Sequence, residues 1–498
     1  MSNIEIKNLT FGYNNQGTLL FNHANLNIDA TWKLGLIGRN GRGKTTLLKI
    51  LQDQLEYRGE IIHQLHFNYF PQTIADKTQL TFYALQEISD AEQWQIEREL
   101  NLLGVDPDIL WRSFDSLSGG EQTKVMLALL FIDENNFPLI DEPTNHLDIN
   151  GRQQVAEYLQ KKHQGFIVVS HDRHFVDQVS DHIMSIEKNK ILLYQGNFAT
   201  YEAEKKLSDD FERDQNEKLK KDIGRLKQSA AEKSKWSFSK EGEKWGNPNE
   251  PGSKVAGKGA IGARAARVMK RSKNLEHRIE NEITDKESLL KNIEYIDPLA
   301  MDFQPTHHQR LLTVKNLQLG YEQDWLFQPI SFELERGQRL AIIGPNGAGK
   351  SSIIQILLNQ FTGSVTGNVD QPQNLKISYV RQNYEDNRGT LTDFAENNHL
   401  NREDFLNNLH KLGMERNVFD NKIEEMSMGQ RKKVELAKSL SQPAELYIWD
   451  EPLNYLDIFN QEQLEKLILS VQPTMLIVEH DQEFISKVTT EQVVLRRD

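Results

Sequence analysis

Short apolar runs alternate with glycine-rich or acidic breaks along the chain, and the alternation occurs twice. Leu34-Gly-Leu-Ile37, Phe137-Pro-Leu-Ile140 and Phe166-Ile-Val-Val169 read as strands, and Leu340-Ala-Ile-Ile343, Leu446-Tyr-Ile-Trp449 and Met475-Leu-Ile-Val478 repeat the set. Between the two sets the period changes. Leu207, Phe211, Leu219, Ile223 and Leu226 stand among Lys, Glu and Asp as a helical stripe, and Val268, Leu275, Ile279, Ile283, Leu290, Ile293 and Ile296 form a second one. A Gly/Pro-rich loop separates the stripes, which predicts an antiparallel helical hairpin. At about 1.5 Å per residue, a helix of about 34 residues would reach about 50 Å.

The breaks between the runs repeat as well. Asn8-Leu-Thr-Phe-Gly-Tyr13 returns as Asn316-Leu-Gln-Leu-Gly-Tyr321, and GRNGRGKTT (Gly38 to Thr46) as GPNGAGKSS (Gly344 to Ser352). LSGGEQ (Leu117 to Gln122) is answered by MSMGQR (Met426 to Arg431), LIDEPTNHLD (Leu139 to Asp148) by IWDEPLNYLD (Ile448 to Asp457), and Ser170-His-Asp172 by Glu479-His-Asp481. A chain of 498 residues exceeds what one core supports. The expected organisation is an α/β repeat: one nucleotide-binding domain over 1–201, a linker over 202–305, and a second domain over 306–498.

Each Gly-rich loop follows a strand run and precedes a helical one. Gly38, Gly41 and Gly43, with Asn40, let the backbone turn so that its amides and the helix N-terminus face phosphate oxygens; Gly344, Gly347 and Gly349, with Asn346, do the same in the second copy. Lys44 and Lys350 neutralise β/γ-phosphate charge, Thr45 and Ser351 are placed to bind Mg²⁺, and Thr46 and Ser352 complete the loops. Asp141 and Asp450 end strand runs where they can hold Mg²⁺, and Glu142 and Glu451 follow them, placed to polarise the attacking water of phosphoryl transfer. His171 and His480, as neutral imidazoles after the next runs, are placed to orient that water. Ser118-Gly119-Gly120, and Ser427 with Gly429, read as a second phosphate cradle at a helix N-terminus.

This order of motifs resembles the ATP-binding cassette (ABC) family. The resemblance implies two composite ATP sites, one pairing Lys44, Asp141 and Glu142 with Ser427, the other pairing Lys350, Asp450 and Glu451 with Ser118. It also implies that Gln72 and Gln382 sit beside Mg²⁺ and γ-phosphate, and that Tyr13 and Tyr321 stack on adenine. The second cradle departs from the pattern, with Met428 where Gly is usual and Gln430 where the first copy has Glu121. Unequal hydrolysis at the two sites is therefore expected.

Charge and composition narrow the partner. A net charge of −13 argues against non-specific adhesion to nucleic acid or an anionic membrane, so RNA contact has to be local. Local basicity is found between the stripes. Lys240, Lys244, Lys254, Lys258, Arg264, Arg267, Lys270 and Arg271 lie there with Trp236 and Trp245, cations for phosphate and flat rings for stacking. The sequence has no cysteine, which removes disulfides and fits a reducing cytosol, and it shows neither a signal peptide nor 18 consecutive apolar residues.

Two cassettes in one chain with a long charged linker resemble the ABC-F family of ribosome-associated ATPases. Gly259 to Arg271, Gln195-Gly-Asn-Phe198 and the Met-Ser-Met-Gly signature are similar to the Lsa-type resistance proteins of that family. The resemblance implies a monomeric cytoplasmic ATPase using ATP and Mg²⁺, with no membrane subunit. It further implies binding in the exit site of the 70S ribosome, against 23S rRNA, P-site tRNA and exit-site proteins. There the linker would displace lincosamides, pleuromutilins and streptogramin A. The alternatives are a housekeeping translation factor of the same family, the ATPase subunit of a drug exporter and, last, a DNA-repair ATPase.

Overall fold

The computed structural model describes residues 3–13, 19–133, 135–145, 147–188, 190–242, 277–278, 298–321 and 324–496, with backbone alone at 230 and 233–242. Two compact units result, Met1–Tyr201 together with Ile296–Asp498, and Glu202–Tyr295.

In the first copy the run Leu34–Ile37 becomes the strand Lys33–Gly38, central in a six-stranded sheet. The order is His66–Phe70, Asn136–Asp141, Phe166–Val169, Lys33–Gly38, His182–Glu187 and Lys190–Gln195, parallel except for the last pair. All four residues of Phe166–Val169 are buried, which is why that strand reads as continuously apolar. Register decides what meets: Leu36 and Asp141 both lie opposite Val169. The Gly-rich loop, the Asp-Glu pair and the Ser-His pair therefore leave the sheet at one edge, the carboxyl end of parallel strands, where α/β sheets bind ligands.

The second copy repeats this with five strands, in the order Ile377–Val380, Leu446–Asp450, Met475–Val478, Arg339–Ile343 and Glu491–Val494. Ile342 and Asp450 both lie opposite Val478. Each copy also has an antiparallel sheet. In the first, Asn3–Phe11 is flanked by Phe21–Asp29 and Arg58–Ile62; in the second, Arg310–Tyr321 is flanked by Ile330–Glu335 and Ser364–Asp370. Two cores fill each copy. One lies around the loop helix, with Leu34, Leu47 and Phe21, or Leu340, Ile353 and Phe327. The other lies under the cradle helix, with Leu117, Val125 and Phe166, or Met426, Val434 and Met475.

Phe198–Gly242 is a single helix of 45 residues, longer than the stripe alone predicted because it begins before Leu207 and continues past Leu226. Its apolar positions differ: Leu207 and Phe211 are exposed, whereas Ile223 is buried. The second stripe and the return arm of the hairpin lie outside the described residues, as do Lys244, Trp245, Lys254, Lys258, Arg264, Arg267, Lys270 and Arg271. Trp236 and Lys240 fall on the helix, but their side chains are outside the description. No described helix is long and apolar enough to cross a membrane.

Candidate functional site

The loop helices Lys44–Leu51 and Lys350–Leu357 start from Gly43 and Gly349 in the left-handed conformation, φ 95° and 87°. A Cβ there would meet Phe21 or Phe327 at 3.0 Å, so backbone conformation and the ring beneath both demand glycine. Lys44 Nζ donates to the Gly38 carbonyl at 2.7 Å and to Asn40 Oδ1 at 3.3 Å; Lys350 Nζ donates to the carbonyls of Gly344 and Pro345, both at 2.9 Å. The ammonium groups are thus aimed over the loop. Burial lowers the pKa of both.

Thr45 Oγ1 donates to Asp141 Oδ2 at 2.8 Å, and Ser351 Oγ to Asp450 Oδ2 at 3.0 Å. A hydroxyl and a carboxylate at hydrogen-bond distance are the donor pair that Mg²⁺ takes in a phosphate-loop site. Asp450 Oδ1 and Gln72 Oε1 are buried oxygens without a hydrogen-bond partner among the described residues, as expected of atoms that fit a cation. Burial, reinforced by Glu451, pushes the Asp450 carboxyl up to about 6.

The residues after these aspartates adopt an unusual backbone. Glu142 and Glu451 have φ 55° and 47°, a conformation costly for a side-chain-bearing residue. Each is held by its own amide, which donates to the Val169 or Val478 carbonyl at 2.8 Å. Glu142 Oε1 stands 3.2 Å from His171 Nε2, and Glu451 Oε1 stands 3.7 Å from His480 Nε2. The electrostatics of the two differ. Burial and neighbouring Asp141 raise the Glu142 carboxyl to about 8. Burial opposes ionisation of Glu451 too, yet His480 and Gln382 bring it down to about 2. Burial, then the Lys44 charge, lowers His171 to about 3, so its imidazole is neutral at physiological pH.

Ser118 and Ser427 cap the helices Gly119–Leu130 and Met428–Ser441 through reciprocal bonds with Glu121 and Gln430. The cradle of the second copy meets the loop of the first. A Cβ on Gly429 would lie 3.5 Å from Asn40 Nδ2 and 3.1 Å from the Tyr455 carbonyl, to which Asn40 Nδ2 itself donates at 3.0 Å. Ser427 and Gly429 are thereby brought to the loop of Lys44. Met428 is exposed beside them. Tyr13 and Tyr321 are each more than two-fifths exposed at the ends of the antiparallel sheets, and the Tyr13 hydroxyl pairs with Thr46 Oγ1 at 3.0 Å.

Several residues at this junction were not singled out from the sequence. The Asn40 amide donates to Asp457 Oδ2 at 2.8 Å, and the Asn346 amide to Asp148 Oδ2 at 3.2 Å. The signal was present, since both repeats of the Asp-Glu motif end in this aspartate. Three arginines of the first copy left no such trace. Arg39 lies over the Phe459 ring at 5.2 Å, Arg173 pairs with Glu465 at 3.0 Å and donates to the Ile458 carbonyl at 3.1 Å, and Arg152 pairs with Asp172 at 2.8 Å.

Two phosphate-binding halves closing on one another define an ATPase of the cassette type, and comparison with known proteins agrees. The family model described as "ABC transporter" matches residues 21–145 and 327–454. The chain belongs to the ABC transporter family, as one of its ABC-F ATPases. It is similar to "Ribosome protection protein VmlR" of Bacillus subtilis (strain 168), at 28% identity over 510 residues, covering 99% of this chain and 87% of that one. It is also similar to "ABC transporter F family member 5" of Arabidopsis thaliana, at 26% identity, covering 92% of this chain and 71% of that one. Among solved structures, an archaeal ribosome recycling factor, aABCE1, in complex with the stalk protein aP1 has the same fold. Its TM-score is 0.65 at 19% identity, over 99% of this chain and 88% of that one.

Proposed function

We propose that this chain is a cytoplasmic, ATP-driven ribosome protection protein. It enters the exit site of the 70S ribosome against 23S rRNA, P-site tRNA and exit-site proteins, and its inter-cassette segment displaces lincosamides, pleuromutilins and streptogramin A. The observation that carries this reading is the similarity, along 99% of the chain, to a protein named for ribosome protection. Two cassettes lying in one compact unit support it, because one chain then supplies both halves of each ATP site.

In this reading Tyr13 and Tyr321 stack on adenine, while the loop amides with Lys44 and Lys350 hold the phosphates. Thr45, Asp141 and Gln72 would hold Mg²⁺ at one site, and Ser351, Asp450 and Gln382 at the other. The chemistry that Mg²⁺ would supply there is neutralisation of phosphate charge. Glu142 and Glu451 orient water for in-line attack, and His171 and His480 fix that water beside the γ-phosphate. Ser427 and Ser118 close each site from the opposite cassette. Closure presents the inter-cassette segment, and hydrolysis lets the protein leave. Lys244 to Gly262 would be the segment that acts on the drug site, with Trp236, Trp245 and the neighbouring cations on RNA.

Co-sedimentation with 70S ribosomes tests the reading. A Glu142→Gln, Glu451→Gln protein with ATP should remain bound, whereas the same protein without nucleotide should not. Expression in a susceptible host should raise the inhibitory concentration of a lincosamide or pleuromutilin but not of a small-subunit drug. Unchanged susceptibility alongside ribosome binding would instead identify a translation factor of the family, and lowered drug accumulation in the cells an exporter subunit.

A further inference from the structure

The second cassette buries an ionic cluster whose Arg381, Lys432, Glu435 and Lys438 positions are filled in the first by apolar or small residues. Glu435, in the helix Met428–Ser441, has no exposed surface. Its carboxylate accepts from Arg381 Nε at 3.0 Å, from the Arg381 amide at 3.3 Å, from Asn387 Nδ2 at 2.8 Å and from Lys438 Nζ at 2.6 Å. Arg381 also reaches Asp386 at 2.7 Å and Asn387 Oδ1 at 2.6 Å. Buried Lys432 completes the group over the Tyr384 ring, at 5.5 Å. In motif register the first cassette has Pro71 for Arg381, Met126 for Glu435, Leu129 for Lys438 and Thr123 for Lys432. Met126 and Leu129 there pack in the apolar core. Since the same fold is filled without charges in one copy, folding does not require this cluster, and a role in fixing geometry is the better explanation.

What the cluster joins is specific. Arg381 immediately precedes Gln382, whose side chain is among the groups that hold down the Glu451 carboxyl. The helix of Glu435 begins at the Ser427 cap, and Gly429 in its first turn abuts Asn40 of the first cassette. A path of covalent and ionic links therefore runs from Gln382, beside Glu451 at one site, through Arg381 and Glu435 to the cradle of the other. Burial opposes a charge on Glu435, but Lys438 and Arg381 hold its carboxyl down to about 2, so the tie stays ionic at neutral pH.

We infer that Glu435 is a positioning residue that couples the two ATP sites. It locks the Gln382 segment to the cradle helix, so that nucleotide held by Lys350 sets Ser427 and Gly429 for nucleotide held by Lys44. This rests on the ATP-site reading given above. The opposite route, from Gln72 through Pro71 and Met126 to Ser118, has no ionic tie, so the coupling is built on one route.

ATP hydrolysis by full-length Glu451→Gln protein reads turnover at the Lys44 site, with and without Lys350→Ala to remove nucleotide from the other site. With Glu435 in place, Lys350→Ala should lower that turnover at least about 5-fold, the low end of ordinary coupling between sites. With Glu435→Gln the same change should alter it by less than about 2-fold, the scatter of independent sites. An Arg381→Met, Glu435→Met protein, which imports apolar filling of the kind found in the first cassette, serves if Glu435→Gln melts early, and should show the same loss of coupling. An equal effect of Lys350→Ala with and without Glu435 overturns the inference. Glu142→Gln is the separate control: if it leaves turnover of the Glu451→Gln protein intact, the ATP-site reading fails and not the role of Glu435.

Discussion

The Asp457 carboxylate serves two segments at once, accepting from the Asn40 amide across the cassette junction through Oδ2 at 2.8 Å and capping its own helix through Oδ1 at 2.9 Å. Asp148 repeats the arrangement, with Asn346 at 3.2 Å and Gly151 at 2.8 Å. Asparagine in place of either aspartate keeps the cap but presents an NH₂ where the loop amide needs an acceptor. A hydrogen bond to a charged group is worth about 1.5–3 kcal/mol, so the loss should slow the affected site about tenfold or more. Asp457→Asn should slow turnover in a Glu451→Gln background, and Asp148→Asn in a Glu142→Gln background. Equal rates with and without these changes would show that the amide contacts do not bear on closure.

Arg173 anchors the junction away from the nucleotides. Its guanidinium is 2% exposed, between Glu465 and the Ile458 carbonyl, and the second cassette has Gln482 at the equivalent position. Removing one partner of a buried pair strands the other. Glu465 keeps Lys487 at 3.5 Å, so the cost should fall at the low end, about 3 kcal/mol for Arg173→Ala. Denaturant unfolding measures it, and a loss under about 1 kcal/mol would place the pair among the weak surface ones.

Asp481 gives the junction a pH dependence. Burial, then neighbouring Asp172 and Glu479, push its carboxyl up to about 7, against Arg152 and the Phe484 amide, which favour the charged form. The folded state keeps a proton that the unfolded chain releases near the ordinary aspartate value. This stabilising contribution is therefore lost as pH rises through about 7. Asp481→Asn retains the helix cap and cannot titrate. The advantage of that variant in Tm should grow from pH 5 to pH 7.5 and then level, and a constant difference over that range would exclude the assignment.

Hydrolysis should be unequal at the two sites. Met428 replaces the usual small residue in the cradle facing Lys44, and the two glutamates sit in different environments, Glu142 raised and Glu451 lowered. Single-turnover rates of Glu142→Gln and Glu451→Gln proteins should differ by at least about tenfold. Met428→Gly should narrow the gap. Equal residual rates would dismiss the asymmetry.

The local half of this chemistry was legible in the sequence because its determinants are local. A strand, a glycine-rich turn and a helix N-terminus place Lys44 and Thr45 within one continuous segment, and the strand ends carrying Asp141 and Glu142 carry their own signal. The contact of Asn40 with Asp457 spans 417 residues and depends on how two cores meet, which no periodicity encodes. Arg173 and Glu435 were invisible for another reason: a charged residue in a helix reads as solvent-facing until the packing around it is known. Leu207 and Phe211 show the converse error, apolar positions in register with a stripe that stand exposed.

By itself, then, the sequence determined that two α/β cassette copies exist and that a charged helical segment separates them. Only the tertiary structure decided that the cradle of the second copy abuts the loop of the first, that Asp457 and Asp148 fasten the junction, and that one cassette is tied by charge where the other is filled with apolar side chains. The division follows from range. Backbone turns and strand runs are fixed by neighbours in sequence, whereas burial, and with it the strength and pKa of a charged contact, depends on packing between segments distant in the chain, 54 residues apart for Arg381 and Glu435 and 417 for Asn40 and Asp457.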